Sequence, residues 1–137
     1  MEIIRAGLES LQILTDMNRQ LREDEQIDNY MTSGELTERM RGFLLNDLEY
    51  RAYLFSVGRE VVGYTLVKLS EEPVYIRQFF IHRDSRRKGY GREGMRLLKK
   101  VLNTGTIELD VLVWNPAAVE FYRSVGFKDR LIRMRLE

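Results

Sequence analysis

The stretch from Phe79 to Gly94, FFIHRDSRRKGYGREG, constrains the fold more than any other part of this chain. It passes from an apolar run suited to a strand, through a basic turn containing glycines, into the first turn of an amphipathic helix. The opening turn of a helix leaves backbone N–H groups without intrahelical acceptors and carries the positive end of the macrodipole. Glycines let a ligand come close to those groups, so this strand, turn and helix predict an anion site. Arg86, Arg87, Lys88 and Arg92 reinforce it, and the ligand this suggests is the pyrophosphate of a coenzyme.

The 137 residues suit one domain, 1–137, with no room for a second core. No apolar run is long enough to span a membrane and the N-terminus lacks the pattern of a signal peptide, so a cytoplasmic protein without a membrane partner is expected. Cysteine is absent and His82 is the lone histidine, which excludes thiol catalysis and a Cys- or His-based zinc site, and no metal is expected. The net charge of +1 hides an uneven distribution. Residues 83–100 hold eight basic side chains against two acidic ones, whereas residues 1–72 hold eight basic against fourteen acidic. One half should bind anions and the other attract cations.

Glu2 to Arg5 reads as a first strand. Leu8, Leu11, Leu14, Met17 and Leu21 then recur at near-helical spacing. The acidic segment Arg22 to Tyr30 breaks the period and reads as a loop. Thr32 or Ser33 caps a second helix with an apolar stripe of Leu36, Met40, Phe43, Leu44 and Leu48. From Arg51 the pattern turns to β: two runs flanking Gly58-Arg59 predict a tight antiparallel hairpin, and Val74 to His82 adds a third strand of a meander. The third helix spans Gly89 to Leu102, facing inward with Met95, Leu98, Val101 and Leu102 and capped at Gly105. Ile107 to Val113, a strand following a helix, can run parallel to the strand ending at His82 through a right-handed crossover. A fourth helix starts at Asn115-Pro116 and stops at Gly126, and Phe127 to Leu136 supplies a last strand.

Two other anion motifs fit poorly. Gly89-Tyr90-Gly91-Arg92-Glu93-Gly94 spells G-x-G-x-x-G, but a dinucleotide fold needs the glycines directly after an early strand, with several parallel units to follow. Here six residues separate Gly89 from His82 and an antiparallel meander comes first. The phosphate loop G-x-x-x-x-G-K-S/T is absent. The basic stretch lacks the interleaved aromatic residues of a nucleic-acid platform, so no nucleic acid is expected.

Arg86-Arg87-Lys88-Gly89-Tyr90-Gly91 also reads R-x-x-G-x-G, and Asn115 to Phe127 reads N-x-x-A-x-x-F-Y followed by G-F. In these two motifs the chain resembles the GNAT superfamily of acyl-CoA-dependent N-acetyltransferases. The resemblance implies an α/β (α+β) fold: a mixed, mostly antiparallel sheet of six to seven strands with a splayed central parallel pair, flanked by about four helices. It implies acetyl-CoA as co-substrate, with pantetheine along the strand at Ile81 and pyrophosphate in the turn of Arg86, Arg87, Lys88, Gly89, Tyr90, Gly91 and Arg92. Arg96, Lys99 or Lys100 could reach a further phosphate or simply be solvated. Asn115 corresponds to a coenzyme contact and Tyr122 to the general acid that protonates the leaving thiolate.

The base is less determined. Many relatives carry a carboxylate on the strand where this chain has Arg77 and Gln78. Asp110, on one face with Glu108, is a candidate base if partly buried; water relayed by backbone carbonyls and His82 are others. The acidic connection Glu23, Asp24, Glu25 and Asp28 suggests a cationic amine acceptor such as a polyamine, an aminoglycoside or a lysyl or N-terminal peptide. Without a β-strand carboxylate, a non-catalytic acyl-CoA-binding or protein-interaction module is the alternative. The short tail after Gly126 leaves an edge that a homodimer could complete.

Overall fold

The computed structural model covers Met1–Glu137. Its elements follow the order β1 (Glu2–Ala6), α1 (Leu11–Glu25), α2 (Ser33–Leu45), β2 (Tyr50–Val57), β3 (Glu60–Lys68), β4 (Val74–Ile81), α3 (Tyr90–Leu102), β5 (Ile107–Leu109) and α4 (Pro116–Ser124). The strands form one sheet in the order β1-β2-β3-β4-β5, antiparallel except for the parallel pair β4 and β5. The expected mixed sheet and four helices are present, with five strands rather than six or seven.

Both faces of the sheet are covered, which is why β2 and β3 read as nearly continuous apolar runs. On one side Leu14, Met17 and Leu21 of α1, spaced to share a helical stripe, pack with Met40 of α2 against Ala52, Tyr64, Leu66 and Phe80. On the other, Met95 and Leu98 of α3 meet Tyr53, Phe55, Ile76, Phe79 and Ile81, with α4 supplying Phe121 and Tyr122. Gly94 belongs to this packing, since a Cβ there would come within 3.1 Å of the Phe55 ring.

Several boundaries differ from those the sequence suggests, each for a local reason. The acidic residues Glu23 to Glu25 finish α1 instead of forming a loop, and Gln26 closes it in the left-handed region at φ 51°. Thr32 caps α2 through a reciprocal capping box: its hydroxyl accepts from the Glu35 N–H at 3.1 Å, and the Glu35 carboxylate accepts from the Thr32 N–H at 2.9 Å. That helix ends at Leu45, so Leu48 lies outside the stripe and is 91% exposed. Asn103, not Gly105, takes the left-handed cap of α3, and Val101 faces outward.

The largest departure lies at the C-terminal end of the sheet. The strand expected over Ile107 to Val113 pairs only through Leu109, and residues 127–136 form no strand. Leu131, Ile132, Met134 and Leu136 are exposed. A ladder of three residues offers too short an edge to hold the alternating tail, which is tethered by ion pairs of Arg130 to Glu108 and Arg135 to Asp28 instead.

A β-bulge organises β4. Leu66 pairs with Gln78 and the adjacent Val67 with Ile76, so Arg77 is an extra residue. The insertion reverses the alternation: Ile76 before it and Phe79 and Ile81 after it all face the α3 side, while Phe80 faces α1. The β4–β5 ladder, Val74 to Ile76 against Ile107 to Leu109, ends at the same point.

Gly63 of β3 faces Ile81, and a Cβ there would run into the Phe80 carbonyl oxygen. Gly63→Ala should therefore cost about 1–3 kcal/mol through overpacking against backbone that cannot yield. Chemical denaturation measures this, and an unchanged midpoint would contradict the tight approach of β3 and β4.

Candidate active site

Beyond the bulge, β4 has an edge with no neighbouring strand. The His82 N–H donates to the Val62 carbonyl at 2.8 Å, so residues 62 and 82 form a hydrogen-bonded pair of the antiparallel ladder. Ile81, one residue earlier, must turn its N–H and C=O the other way, into the gap left by β5. The Ile81 carbonyl there accepts from Arg86 Nε at 2.8 Å, and the N–H has no strand to bond.

The turn after β4 runs through a short 3₁₀ segment, Arg83–Ser85, to the start of α3. Arg87 and Gly89 both lie in the left-handed region, at φ 62° and 82°. Gly89 is the N-cap of α3 and supplies no side-chain cap, and the first bond of the helix is from the Glu93 N–H to the Gly89 carbonyl at 3.0 Å. The N–H groups of residues 87–92 therefore find no acceptor in the protein. Consecutive free amides in such a turn, at the positive end of a helix, form an anion-binding concavity.

The basic side chains around this turn are largely engaged elsewhere. Asp24, at the end of α1, receives Arg83 through Nε at 2.8 Å and Nη2 at 2.5 Å, and Arg86 through Nη2 at 2.5 Å. Its side chain is only 16% exposed; burial alone would raise its pKa, but the two guanidiniums outweigh that and hold the carboxyl below its ordinary value. Arg92 reaches across to the last turn of α4, donating to the Ser124 carbonyl at 3.2 Å, and Arg96 pairs with Glu93. Arg87 and Lys88 remain as exposed cations beside the free amides. Gly91 has a packing reason of its own, because a Cβ would sit 2.8 Å from the Phe121 ring.

Tyr122 of α4 packs against β4. Its ring packs on Phe79, Phe121 and Phe127 at centroid distances of 6.4, 5.3 and 5.6 Å. Burial pushes the phenol well above its ordinary pKa, and the negative charge of Glu25 adds to the shift. The hydroxyl stays protonated across the physiological range and makes no hydrogen bond to the protein. Asn115 caps α4, its Oδ1 accepting from the Ala118 N–H at 3.3 Å.

Of the expected residues, Arg86 of the turn bonds the Ile81 carbonyl, Tyr122 packs on Phe79 of the same strand, and Asn115 starts the helix that carries Tyr122. Asp110 stands apart: its carboxylate is exposed and accepts from the Tyr75 hydroxyl at 3.1 Å, an interaction that helps push that phenol up to about 12 after the larger effect of burial. His82 packs edge-on against Phe80 instead of facing Tyr122.

A family model for the GNAT acetyltransferases matches residues 13–127. The chain belongs to the GNAT acetyltransferase family. No curated protein sequence matches it. A possible acetyltransferase from Clostridium difficile 630 superposes with a TM-score of 0.82 at 18% identity, covering 99% of this chain and 95% of that one. A predicted acetyltransferase from Clostridium acetobutylicum, crystallised with acetyl-CoA, gives 0.73 at 19% identity, with coverage of 99% and 95%. AAC(6')-Iy, in complex with a bisubstrate analogue of CoA and acetylneamine, gives 0.72 at 15% identity over 99% of this chain and 97% of that one. This GNAT protein is thus an acetyltransferase of a family that uses acetyl-CoA.

Glu25, which the sequence marked only as one of the acidic connection, is the carboxylate whose charge reaches the Tyr122 phenol. Burial raises its pKa, and although the Arg22 charge pulls it down, no side chain bonds the carboxylate. Its main-chain carbonyl accepts from the Trp114 indole N–H at 2.9 Å, tying the end of α1 to the segment after β5. Reading Glu25 as a helix residue four after Leu21 would have placed it on the inward side of α1.

The Asp24 clasp predicts an acid dependence. A carboxyl depressed by folding stabilises the protein fully above its unfolded pKa, about 3.9, and that contribution disappears as pH falls through the lower folded value. The thermal midpoint of the wild type should fall below about pH 4 more steeply than that of Asp24→Asn. Parallel curves would show that the clasp contributes nothing.

Proposed function

We propose that this acetyltransferase moves the acetyl group of acetyl-CoA to the primary amine of a small molecule by direct attack, with Tyr122 as general acid. The observation that carries this reading is the unpartnered Tyr122 phenol beside the open edge of β4. A pantetheine arm lying along β4 in the gap would find the Ile81 N–H, and the free amides of residues 87–92, with Arg87 and Lys88, suit a pyrophosphate. Arg86 acts indirectly, fixing the Ile81 carbonyl and the start of the turn. The amide of Asn115 has its NH₂ left to meet the coenzyme while its oxygen caps α4.

In the reaction the amine nitrogen bonds to the thioester carbon and the carbon–sulfur bond breaks. The Tyr122 proton passes to the departing sulfur. The attacking ammonium first gives a proton to Glu25, whose raised pKa suits a base in place of Asp110, and the second nitrogen proton, released after attack, returns to the Tyr122 phenolate left when the phenol protonates the sulfur. AAC(6')-Iy, whose bisubstrate analogue joins CoA to acetylneamine, supports an amine acceptor. The expected homodimer remains part of the proposal, with the open edge of β5 as its site; sedimentation would report it as a doubled mass.

Tyr122→Phe should lower kcat at least about tenfold, within the range typical of a lost general acid, while the acetyl-CoA affinity measured by calorimetry holds. Unchanged turnover would remove the assignment. Gly89→Val, at a positive φ, should instead weaken acetyl-CoA binding by at least about tenfold.

Glu25 gives a prediction of opposite signs. A carboxyl whose pKa is raised by folding destabilises the protein above that value, and the loss is recovered as pH falls. Glu25→Gln should raise the thermal midpoint at about pH 7.5 while reducing kcat/KM at least about tenfold. A variant no more stable than wild type, or fully active, would count against a base at this position.

A further inference from the structure

The α1–α2 side of the sheet carries a group of arginines that the coenzyme turn does not use. Arg77, the bulged residue of β4, lies over the Phe43 ring with its guanidinium carbon 5.0 Å from the centroid. Arg39, one turn earlier on α2, lies 5.6 Å from the same centroid. The charges of Arg77 and Arg22 both bear on Arg39, whose pKa is lowered first by burial and then by these two like charges. Arg22 donates to the carbonyl and side-chain oxygens of Asn29 at 2.5 and 3.2 Å, and Arg39 to the Met31 sulfur at 3.5 Å. None of the three pairs with a carboxylate, although Arg83, Arg86, Arg96, Arg123 and Arg135 all do.

Holding like charges together with partial desolvation costs free energy unless an anion joins them. The Phe43 ring offsets part of this by cation–π contact and also fixes the planes of two guanidiniums, leaving their forks preorganised for a planar or tetrahedral oxyanion. The arginines are connected to the proposed base, Glu25: Arg22 stands one turn before it on α1. Gln78, the residue after Arg77, accepts from the Tyr64 hydroxyl at 2.8 Å. The Tyr64 hydroxyl accepts in turn from Asn18 Nδ2 at 3.1 Å, and Asn18, Arg22 and Glu25 follow one another at helical spacing along α1. Hydrogen bonds and one helix face thus connect Glu25 to the strand position beside Arg77.

We propose that the acceptor is a primary amine that also carries an oxyanion, a carboxylate or a phosphate, gripped by Arg77 and Arg39 with Arg22 behind them. The proposal deepens the acetyl-transfer reading above and rests on it. It also replaces the polycationic acceptor suggested by the acidic connection. Asp24 is consumed by Arg83 and Arg86, Asp28 by Arg135, and Glu23 lies 3.8 Å from Arg83. Glu25 alone is left to receive an ammonium group, and three arginines are a poor lining for a second one.

The test is thiol release from acetyl-CoA with matched amines: an α-amino acid against its decarboxylated amine, phosphoethanolamine against ethanolamine, and spermidine as the polycation. The expected result is a preference of at least about tenfold in kcat/KM for the oxyanion-bearing member of one pair. Which pair shows it tells carboxylate from phosphate. Arg77→Gln, at an exposed position, and Arg39→Gln should each erode that preference by raising KM, with acetyl-CoA affinity by calorimetry reporting that the fold is intact. Equal use of both members of each pair, preference for spermidine, or a preference that survives in both folded variants would overturn the proposal while leaving acetyl transfer standing. Tight acetyl-CoA binding with no thiol release from any amine would overturn both.

Discussion

The parallel ladder between β4 and β5 stops at Ile76 and Leu109, and the extra residue at Arg77 coincides with that stop. A bulge bends its strand and increases the local twist, so the two strands diverge where regular pairing would have kept them together. Everything used by the proposed chemistry follows from the divergence. It frees the edge of β4 at Ile81 and makes room for Tyr122 against Phe79. It also brings Arg77 to the side of the sheet where Phe43 and Arg39 lie. Antiparallel pairing with β3 holds the other edge of β4 in register as far as Gly63 and Ile81, so the opening is rigid on one side.

Electrostatics link the two ends of the cleft. The Asp24 carboxylate binds two guanidiniums from the turn after β4, and one of these also holds the Ile81 carbonyl. Together with the Trp114 bond to Glu25, this fixes the C-terminal turn of α1 to both diverging strands' ends. Such charge-assisted, bidentate contacts are stronger than ordinary surface ion pairs because the acceptor is largely withdrawn from water. Part of the contrast between an acidic first half and a basic second half thus resolves into internal pairing, of Asp24 and Glu23 with Arg83 and Arg86 and of Asp28 with Arg135. Arg87 and Lys88 at the turn, Glu25 at the end of α1 and the arginines around Phe43 keep no ion pair.

The features legible in the sequence were those set by local chemistry. Glycine at the hairpin turn, proline in the first turn of α4, a cap at Thr32 and the apolar runs of β2, β3 and β4 each act over a few residues, and the elements they announce are present. The basic, glycine-containing turn was marked in the same way, whereas Tyr122 was singled out only by the resemblance of the Asn115 to Tyr122 motif. The bulge was not legible, because Arg77 has no residue-type signature and its effect is visible only through the register with β3. Reading Arg22 to Tyr30 as a loop hid Glu25, since a helix ending in acidic residues runs against the macrodipole preference. The last strand failed on tertiary grounds: residues 127–136 alternate adequately, but the early parting of β5 leaves no edge for them.

That helix ending is informative when set beside the rest of the interior. Among fully buried side-chain atoms, Arg51 Nε alone lacks a hydrogen-bond partner, so the packing elsewhere is well satisfied. The groups left open to a ligand are few: the N–H groups of residues 87–92, the edge of β4 at Ile81, the Tyr122 hydroxyl, the Glu25 carboxylate at an unfavourable helix end, and like-charged arginines sharing one ring. Each costs stability in the free protein, and contacts such as the Phe43 ring under two arginines offset only part of that cost. Donors without acceptors and like charges held together are costs that a bound ligand recovers, which is why such groups are kept where ligands bind and not elsewhere in the interior.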